Sequence, residues 1–299
     1  MKKNKKKKEQ IGALKSTIGV SQSELIWRRY KKNKLAMIGL AIMIIYMLLI
    51  LTAPLYIDYA GVTTMNIAKR FMGPGREHIF GTDQYGRDLF ARIVYGGRIS
   101  LFAGLASVAL SLLISCALGG LAGYKGGRID NVIMRVLDIF MAVPSLLLSM
   151  AIVAALGTGI SKLLIAITIT SIPGGARMVR SATLSVKNQE FIEAARSGGQ
   201  NSVKIIIKHI LPNCIGPIII NATLSLGTVI MSIASLGFLG IGITPPTPEW
   251  GTILSENRQF IRNYVYLGII PGAAIGLAVM SLNFIGDGLR DAFDPRTRK

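Results

Sequence analysis

The residue types that carry most enzyme and metal chemistry are scarce in this sequence and widely separated. The chain has two cysteines, Cys116 and Cys214, and two histidines, His78 and His209. Both cysteines fall inside or at the edge of apolar runs, so we expect neither a disulfide nor a Cys-His zinc site. The predicted topology, described below, puts one histidine outside and the other inside, so the two cannot share a metal. We therefore expect no catalytic residue, no bound cofactor and no metal in this chain.

Nucleotide chemistry is also missing from the motifs. The sequence contains no G-x-x-x-x-G-K-[ST] loop, the element that cradles phosphates in many ATP-hydrolysing proteins. The glycine-rich run 237–242 does not match the dinucleotide-binding pattern, and we interpret it as a kink or a site of close helix packing. Two sets of glycines spaced four residues apart have the same interpretation: Gly119 and Gly123, and Gly268, Gly272 and Gly276. If the protein does ATP-driven work, a partner must hydrolyse the ATP.

The composition is that of a membrane protein. Apolar residues make up 51% of the chain and charged residues 16%, whereas soluble domains carry about 25% charged residues. Five uncharged runs exceed the roughly 20 residues that span a bilayer as helix. They cover residues 35–57, 99–124, 139–161, 210–248 and 263–286. A shorter run, 163–176, has cations at both ends and contains Pro173, and we predict that it is a sixth, broken span.

The positive charges predict how these spans are oriented. Of the 34 Lys and Arg residues, 25 fall in the two tails and the loops on their side, and 9 fall on the other side. Because cytoplasmic segments are rich in cations, we expect both termini in the cytoplasm. We interpret the run Lys2–Lys8 as a tail near anionic lipid and not as a nucleic-acid site. The first apolar run starts late and lacks a cleavage site, so we expect it to remain in the protein.

These observations predict an all-α, polytopic protein with six transmembrane helices. We place the spans at about 35–57, 99–123, 136–160, 162–180, 214–240 and 264–287, within a membrane domain of residues 35–288. The remaining segments are a cytoplasmic N-terminal tail, an external loop, a cytoplasmic loop and a cytoplasmic C-terminal tail: 1–34, 58–98, 185–212 and 289–299.

Ionisable residues are nearly absent from the predicted spans, which argues against a proton-coupled or ion-coupled transporter. We expect Asp138, near the start of the third span, to pair with Arg135 on the same helix. A secondary transporter also commonly has inverted repeats, and a membrane-embedded enzyme needs a nucleophile and a base that converge at depth. Neither feature is evident in the sequence, so we favour a membrane subunit driven by a partner.

A polar segment between the fourth and fifth spans, residues 193–213, differs from the apolar sequence around it. Good helix formers precede Gly198 and Gly199, an apolar and basic run follows them, and Pro212 ends it. This pattern predicts two short helices joined by a turn. The apolar side chains of the region could pack back on the membrane helices or insert into a groove of a partner. They are Phe191, Ile192, Ile205, Ile206 and Ile207.

This segment resembles the EAA loop of ABC importer permeases, whose pattern is Glu-Ala-Ala, three residues, Gly, nine residues, and Ile-x-Leu-Pro. The matching positions are Glu193, Ala194, Ala195, Gly199, Leu211 and Pro212. His209 takes the Ile position, as is usual in the peptide and nickel branch, where the ending reads HILPN. Gly198 departs from that branch, which commonly has Leu there.

The remainder of the chain resembles the second permease subunit, the "C" type, of dipeptide, oligopeptide and nickel importers. The stretches that carry the likeness are 81–101, 126–148, 235–256 and 286–296, within roughly residues 25–296. The resemblance implies the type I ABC importer permease fold in a bacterial plasma membrane. It implies four kinds of partner: a second homologous permease, two ATP-binding subunits, an extracytoplasmic substrate-binding protein and membrane lipid. ATP and magnesium would be bound by the ATP-binding subunits.

The resemblance also implies a role for the polar segment, because in such importers the EAA loop docks in a cleft of an ATP-binding subunit. By position, Glu193, Ala194, Ala195 and Gly199 carry that coupling here. From the residues alone, Gly199 permits a turn, and Glu193 can cap a helix or pair with a basic groove.

A second group of candidate residues lies in the predicted external segments. Asp83, Arg87 and Asp88 could contact a binding protein, or could pair with one another and cap the next helix. We favour the structural role, because compact loops rich in Gly and Asp often hold themselves together. Trp250 follows a proline-rich stretch that we place near the mouth of the pathway, and the same two roles remain open for it.

The substrate is the least constrained part of the interpretation. The resemblance allows short peptides, nickel or its chelates, and glutathione. We favour peptides over nickel, because soft and imidazole ligands are few in this chain.

Overall fold

The computed structural model describes residues 22–294, which fold mainly into helices. The helices are α1 Gln22–Tyr30, α2 Lys34–Tyr56, α3 Tyr59–Thr63, α4 Leu89–Lys125, α5 Gly127–Met141, α6 Ser145–Leu156, α7 Ile160–Val186, α8 Glu190–Ser197, α9 Ser202–Ile205, α10 Leu211–Asn213, α11 Ile215–Phe238, α12 Trp250–Asn257 and α13 Tyr266–Phe293. A 3-10 turn, Ile67–Lys69, precedes α4, and a π-helical turn, Ile206–Ile210, joins α9 to α10. The predicted lipid-facing run Lys2–Lys8 lies outside the described residues.

The described residues contain five candidate membrane spans, or six if one bent pair of helices forms a single span. Helices α2, α4, α7, α11 and α13 are each long and apolar enough to span a bilayer, and α5 and α6 form a pair bent by 85°. A Cβ atom on Gly126, just before α5, would lie 4.0 Å from Nζ of Lys187 at the end of α7. Gly159, just after α6, donates a backbone hydrogen bond to Gly242 beyond α11. The bent pair therefore connects opposite ends of the bundle and acts as one broken span, which confirms the prediction of six.

The break lies in the third span and not in the fourth, where it was predicted. Helix α7 continues through Pro173 without interruption. Ser115 on α4 donates a hydrogen bond of 3.1 Å to the Ile172 carbonyl, which ties α4 to α7 beside the proline. In the third span, Pro144 has an extended backbone (φ −52°, ψ 130°) and disfavours helix at the residue before it.

Several helices extend past the span boundaries that the sequence predicts. Helix α4 begins at Leu89, capped by Asp88, within the predicted external loop 58–98. Its 37 residues make a helix about 55 Å long, well beyond a bilayer core of about 30 Å. Helix α13 likewise runs to Phe293, into the predicted tail 289–299.

Helices α4 and α7 pack closely through the predicted glycine pair. A Cβ atom on Gly119 would lie 2.3 Å from the Ala176 carbonyl oxygen, and one on Gly123 would lie 2.7 Å from Cβ of Thr183. Only glycine permits this approach, which confirms close helix packing within the chain. Gly272 and Gly276 differ, since a Cβ atom on either would meet no atom of the described chain within 4 Å.

Asp138 does not pair with Arg135 as predicted. Its carboxylate accepts a hydrogen bond from Arg177 on α7, and Asp130 of α5 is bound by both Nε and Nη2 of Arg180, each at 2.5 Å. The two ion pairs therefore hold α5 against α7. The prediction failed because it considered only partners on the same helix, while Arg135 is exposed to the surroundings.

Candidate functional site

The polar segment, extended here to residues 190–213 and called the coupling segment after the role that the resemblance implies, forms two short helical pieces joined by a turn, as predicted. Helix α8 buries Ile192 and Ala195 against the ends of α7 and α11 and exposes Glu193 and Ala194. Arg196 lies over the ring of Tyr124, 5.6 Å from its centroid. One face of α8 is therefore fixed to the bundle, and the face that carries two of the EAA residues is free.

The two glycines of the turn have different backbone conformations. Gly198 ends α8 with φ −74°, a value that any residue adopts. Gly199 has φ +74°, in the left-handed region that favours glycine. A Cβ atom on Gly199 would meet nothing within 4 Å, so the backbone conformation alone requires glycine there. The departure from the branch at Gly198 thus falls on the position that has no conformational need for glycine.

Beyond the turn, His209 and Pro212 lie where the helix enters the membrane. Nε2 of His209 is 2.9 Å from Oε1 of Gln200, a contact that ties the π-helical turn back to the glycine turn. Asn213 donates a hydrogen bond of 2.7 Å to the His209 carbonyl, while Leu211 is half-buried and Pro212 exposed. The HILPN sequence therefore braces the coupling segment just before α11.

The apolar side chains of the coupling segment divide between the two options that the sequence left open. Ile192, Ile205 and Ile206 are at most 7% exposed and pack back on the bundle. Phe191 and Ile207 are 38% and 59% exposed, and Val203, which the sequence analysis did not consider, is 61% exposed. Half of this set stabilises the segment, and the other half is exposed.

The loops at the other end of the bundle, 57–88 and 239–265 (hereafter the opposite cap), contain the second group of candidates. Asp83 and Arg87 are buried and joined by a bond of 2.6 Å from Nε of Arg87. Arg92 also donates to Asp83, at 2.9 Å, and both arginines donate to Glu256, at 3.0 and 2.5 Å. Burial raises the pKa of Glu256, and Arg87 opposes that change. This closed network of two cations and two carboxylates joins the loop to α12.

Asp88 and Trp250 are also used inside the chain. Asp88 accepts a hydrogen bond of 2.8 Å from the Ala91 amide at the start of α4, and its other oxygen is 2.7 Å from Nδ1 of His78. Trp250 is fully buried, and its Nε1–H donates to the Ile93 carbonyl at 2.9 Å. All four predicted residues of this cap, Asp83, Arg87, Asp88 and Trp250, therefore have hydrogen-bond partners within the chain.

Glu249, which was not among the predicted site residues, is a fully buried carboxyl group of the cap, like Asp83. It accepts hydrogen bonds from the amides of Gly251 and Thr252, at 2.9 and 2.8 Å, and from the Ser100 hydroxyl at 3.1 Å. Burial raises the pKa of Glu249, and these donors oppose the rise. Glu249 occupies the N-cap of α12, where Ser, Thr, Asp and Asn are the usual residues, so no capping pattern marked it in the sequence.

A cavity of about 490 Å³ lies within the bundle at the break of the third span. Its walls come from the break between α5 and α6, from α7 around Pro173, and from one face of α11. The α11 wall contributes four uncharged polar side chains: Asn221, Ser225, Thr228 and Ser232. Their spacing of four, three and four residues is helical, so the periodicity of polar residues inside an apolar run could have revealed this face.

The match to protein-family models decides between a partner-driven membrane subunit and the two alternatives, a secondary transporter and a membrane-embedded enzyme. Residues 115–299 match the model described as the binding-protein-dependent transport system inner membrane component. The chain belongs to this family. A second model, the N-terminal transmembrane domain of oligopeptide transport permease C, matches residues 21–74 of this permease.

Named relatives cover nearly the whole permease. It is 47% identical over 272 residues to the dipeptide transport system permease protein DppC of Alkalihalophilus pseudofirmus, covering 91% of this chain and 89% of that protein. It is 40% identical over 271 residues to the oligopeptide transport system permease protein OppC of Bacillus subtilis, covering 91% and 88%. It is 42% identical over 272 residues to the glutathione transport system permease protein GsiD of Escherichia coli, covering 91% and 90%.

The fold matches that of a solved permease. A chain of the MetNI methionine ABC transporter in an inward-facing conformation aligns with a TM-score of 0.56 at 21% identity, covering 68% of this permease and 97% of that chain. The permease therefore has the type I ABC importer permease fold that the resemblance implied.

Proposed function

We propose that this permease is one of two membrane subunits of an ATP-driven importer of short peptides. The observation that carries the proposal is the coupling segment, which is anchored through Ile192 and Ala195 while Glu193 and Ala194 face outward beside the turn at Gly199. A rigidly supported surface at the end of a membrane bundle fits the cleft of an ATP-binding subunit. The names of the relatives, which specify dipeptides, oligopeptides and glutathione, support a peptide substrate.

The connections of the coupling segment explain how movement would reach the membrane. Helix α8 follows α7 after three residues, and the segment leads directly into α11. Both of these helices line the cavity at the broken span. Because the segment is packed on their ends, a shift of a bound ATP-binding subunit would move α7 and α11 together and change access to the cavity.

The cavity is suited to a class of substrates and does not select a single molecule. Its volume of about 490 Å³ lies within the roughly 300–1,000 Å³ of small-molecule sites. Among the described residues, the lining consists of apolar side chains, glycines, prolines, hydroxyls and one amide, Asn221, without a charged group. Such a wall offers hydrogen bonds to peptide groups and selects weakly among side chains, so the choice of substrate is left to a binding protein.

The proposed assembly has four further protein chains and a defined orientation. A second, homologous permease completes the pathway, two ATP-binding subunits bind ATP and magnesium, and an extracytoplasmic binding protein delivers the peptide. The cation distribution supports both termini, and hence the coupling segment, on the cytoplasmic side of a bacterial plasma membrane. The permease itself is non-catalytic in this proposal.

The coupling assignment is tested with Glu193→Lys and Gly199→Asp in the purified complex, using substrate-stimulated ATPase activity and peptide uptake. Both changes are expected to abolish uptake and stimulation while the permease remains in the membrane, because each places a wrong charge on the docking surface. Asp287→Lys, a charge reversal at an exposed site on the same end of the bundle, is the matched control. Full stimulated ATPase activity in either coupling variant would show that the assignment is wrong.

The substrate is tested separately in the same reconstituted complex with its binding protein. Uptake of labelled dipeptides and tripeptides is compared with uptake of nickel. Peptide uptake that requires ATP is expected. If the complex takes up nickel and takes up no peptide, the peptide assignment is wrong, while the coupling assignment remains intact.

A further inference from the structure

A cationic and aromatic corner lies where α1 meets the first span. Trp27 is 46% exposed, stacks on Tyr30 with ring centroids 5.7 Å apart, and has Nζ of Lys31 5.0 Å above its ring. Lys32 and Lys34 are exposed just beyond it. The corner combines an aromatic ring with three lysines that follow one another within four residues.

The corner is held rigidly in place. Tyr30 is buried, and its hydroxyl donates a hydrogen bond of 3.2 Å to the Ala36 carbonyl. Asn33 caps α2 through the Ala36 amide and donates a second bond of 3.0 Å to Asp291 of α13. Contacts within the chain therefore hold helix α1 at the entrance of α2.

The charge at this corner is unbalanced. Glu24 is the one carboxylate of residues 22–34, and it pairs with Arg28. The facing end of α13 carries Asp287, Asp291 and Asp294 together with Arg290. Within residues 22–294, no carboxylate forms an ion pair with Lys31, Lys32 or Lys34, so three cations remain for an external anion.

The location of the three lysines identifies that anion. Lys34 is the first residue of α2, and the next exposed side chains, Leu35 and Ile38, must face hydrocarbon in a span of this hydropathy. A phosphate at the lysines is therefore directly above acyl chains that lie along α2. Exposed lysines at such a boundary attract anionic headgroups, and tryptophan prefers the same depth.

We propose that Trp27, Lys31, Lys32 and Lys34 form a binding site for an anionic phospholipid, whose phosphate contacts the lysines and whose chains follow Leu35 and Ile38. This site is independent of the proposed peptide substrate and of the coupling segment. It anchors the N-terminal helix to the membrane leaflet at the same end of the bundle as the coupling segment.

The test places the assembled complex in nanodiscs of phosphatidylcholine and phosphatidylglycerol, with bromine on the acyl chains of one lipid at a time. Bromine quenches nearby tryptophan fluorescence, and the difference between wild type and Trp27→Phe isolates the Trp27 signal. Brominated phosphatidylglycerol is expected to quench this signal at least about twofold more than brominated phosphatidylcholine at equal mole fraction, and 1 M salt should reduce the excess.

A lysine variant and a matched control separate lipid recognition from general charge. The triple variant Lys31→Gln, Lys32→Gln, Lys34→Gln should abolish the excess quenching by phosphatidylglycerol. The triple variant Lys125→Gln, Arg128→Gln, Arg135→Gln removes the same charge from exposed sites near α5 and should keep the excess. Equal quenching by the two lipids, absence of quenching, or an excess that survives removal of the three lysines would each overturn the proposal.

Discussion

The coupling segment and the opposite cap both carry residues that look like contact surfaces in the sequence. The coupling segment exposes these residues, whereas the opposite cap buries them. In the coupling segment, the small and uncharged residues around Glu193 face outward while isoleucines anchor the segment from below. In the opposite cap, the conspicuous charges Asp83 and Arg87 are buried in a closed network. Charged motifs in a loop can thus serve as its internal scaffold, whereas the surface that we propose for docking consists of small side chains and a backbone turn.

The largest effect is expected from breaking the network of the opposite cap. Arg87→Gln leaves Asp83 and Glu256 with less compensation in a buried site, and removal of one partner from such a network costs about 3–5 kcal/mol. We expect a marked loss of thermal stability and of assembled complex, measured by thermal unfolding in detergent and by membrane yield.

Arg76→Gln is the matched control for this change, because Arg76 is an exposed arginine of the same loop. It should leave stability unchanged. The structural role of Arg87 would be contradicted if Arg87→Gln or its charge reversal weakened transport while assembly and thermal stability stayed normal.

The next effect distinguishes the two neighbours Ile206 and Ile207. Ile206→Ala opens a cavity in the support of the coupling segment and should cost about 2–5 kcal/mol, since the side chain is 7% exposed. Ile207→Ala removes a side chain that is 59% exposed and should change stability by less than about 0.5 kcal/mol. Ile207→Ala should instead weaken retention of the ATP-binding subunits, measured by co-purification at low concentration.

Equal retention of ATP-binding subunits by wild type and Ile207→Ala would mean that this exposed isoleucine lies outside the docking surface. A large stability loss for Ile207→Ala would contradict the division of the segment into anchored and exposed halves.

A smaller effect concerns the glycine turn. Gly199→Ala must hold alanine at φ +74°, which costs about 1 kcal/mol, although there is room for the methyl group. Gly198→Ala fits a conformation open to all residues and meets its nearest atom at an ordinary 3.4 Å. Substrate-stimulated ATPase activity should therefore fall in Gly199→Ala and stay near wild type in Gly198→Ala. A larger loss in Gly198→Ala would place the sensitive position of the turn one residue earlier.

The sequence predicted the class, the number of spans and the two-piece form of the coupling segment, because these depend on local properties such as hydropathy, helix propensity and glycine position. Its predictions were wrong where the partner of a residue lies in a distant segment of the chain. Ser115 of another helix bonds to the carbonyl before Pro173, and Asp138 pairs with Arg177, which is 39 residues away. The four-charge network of the cap joins Arg87 to Glu256 across 169 positions, so no local pattern could reveal it.

The smallest effect is expected at the exposed ion pair of the opposite cap, Lys69–Glu77, which contrasts with the buried network a few residues away. The hydrogen bond from Lys69 holds the pKa of Glu77 below its usual value, so any stabilisation is present above the unfolded pKa and is lost as pH falls through the folded one. Because both side chains are largely exposed, solvent and salt screen the pair. Glu77→Gln should therefore leave the thermal unfolding temperature unchanged at pH 7, and the two proteins should respond alike when the pH is lowered to about 4. A clear drop for Glu77→Gln at pH 7 that disappears at low pH would show that surface charge, and not only the buried network, stabilises this cap.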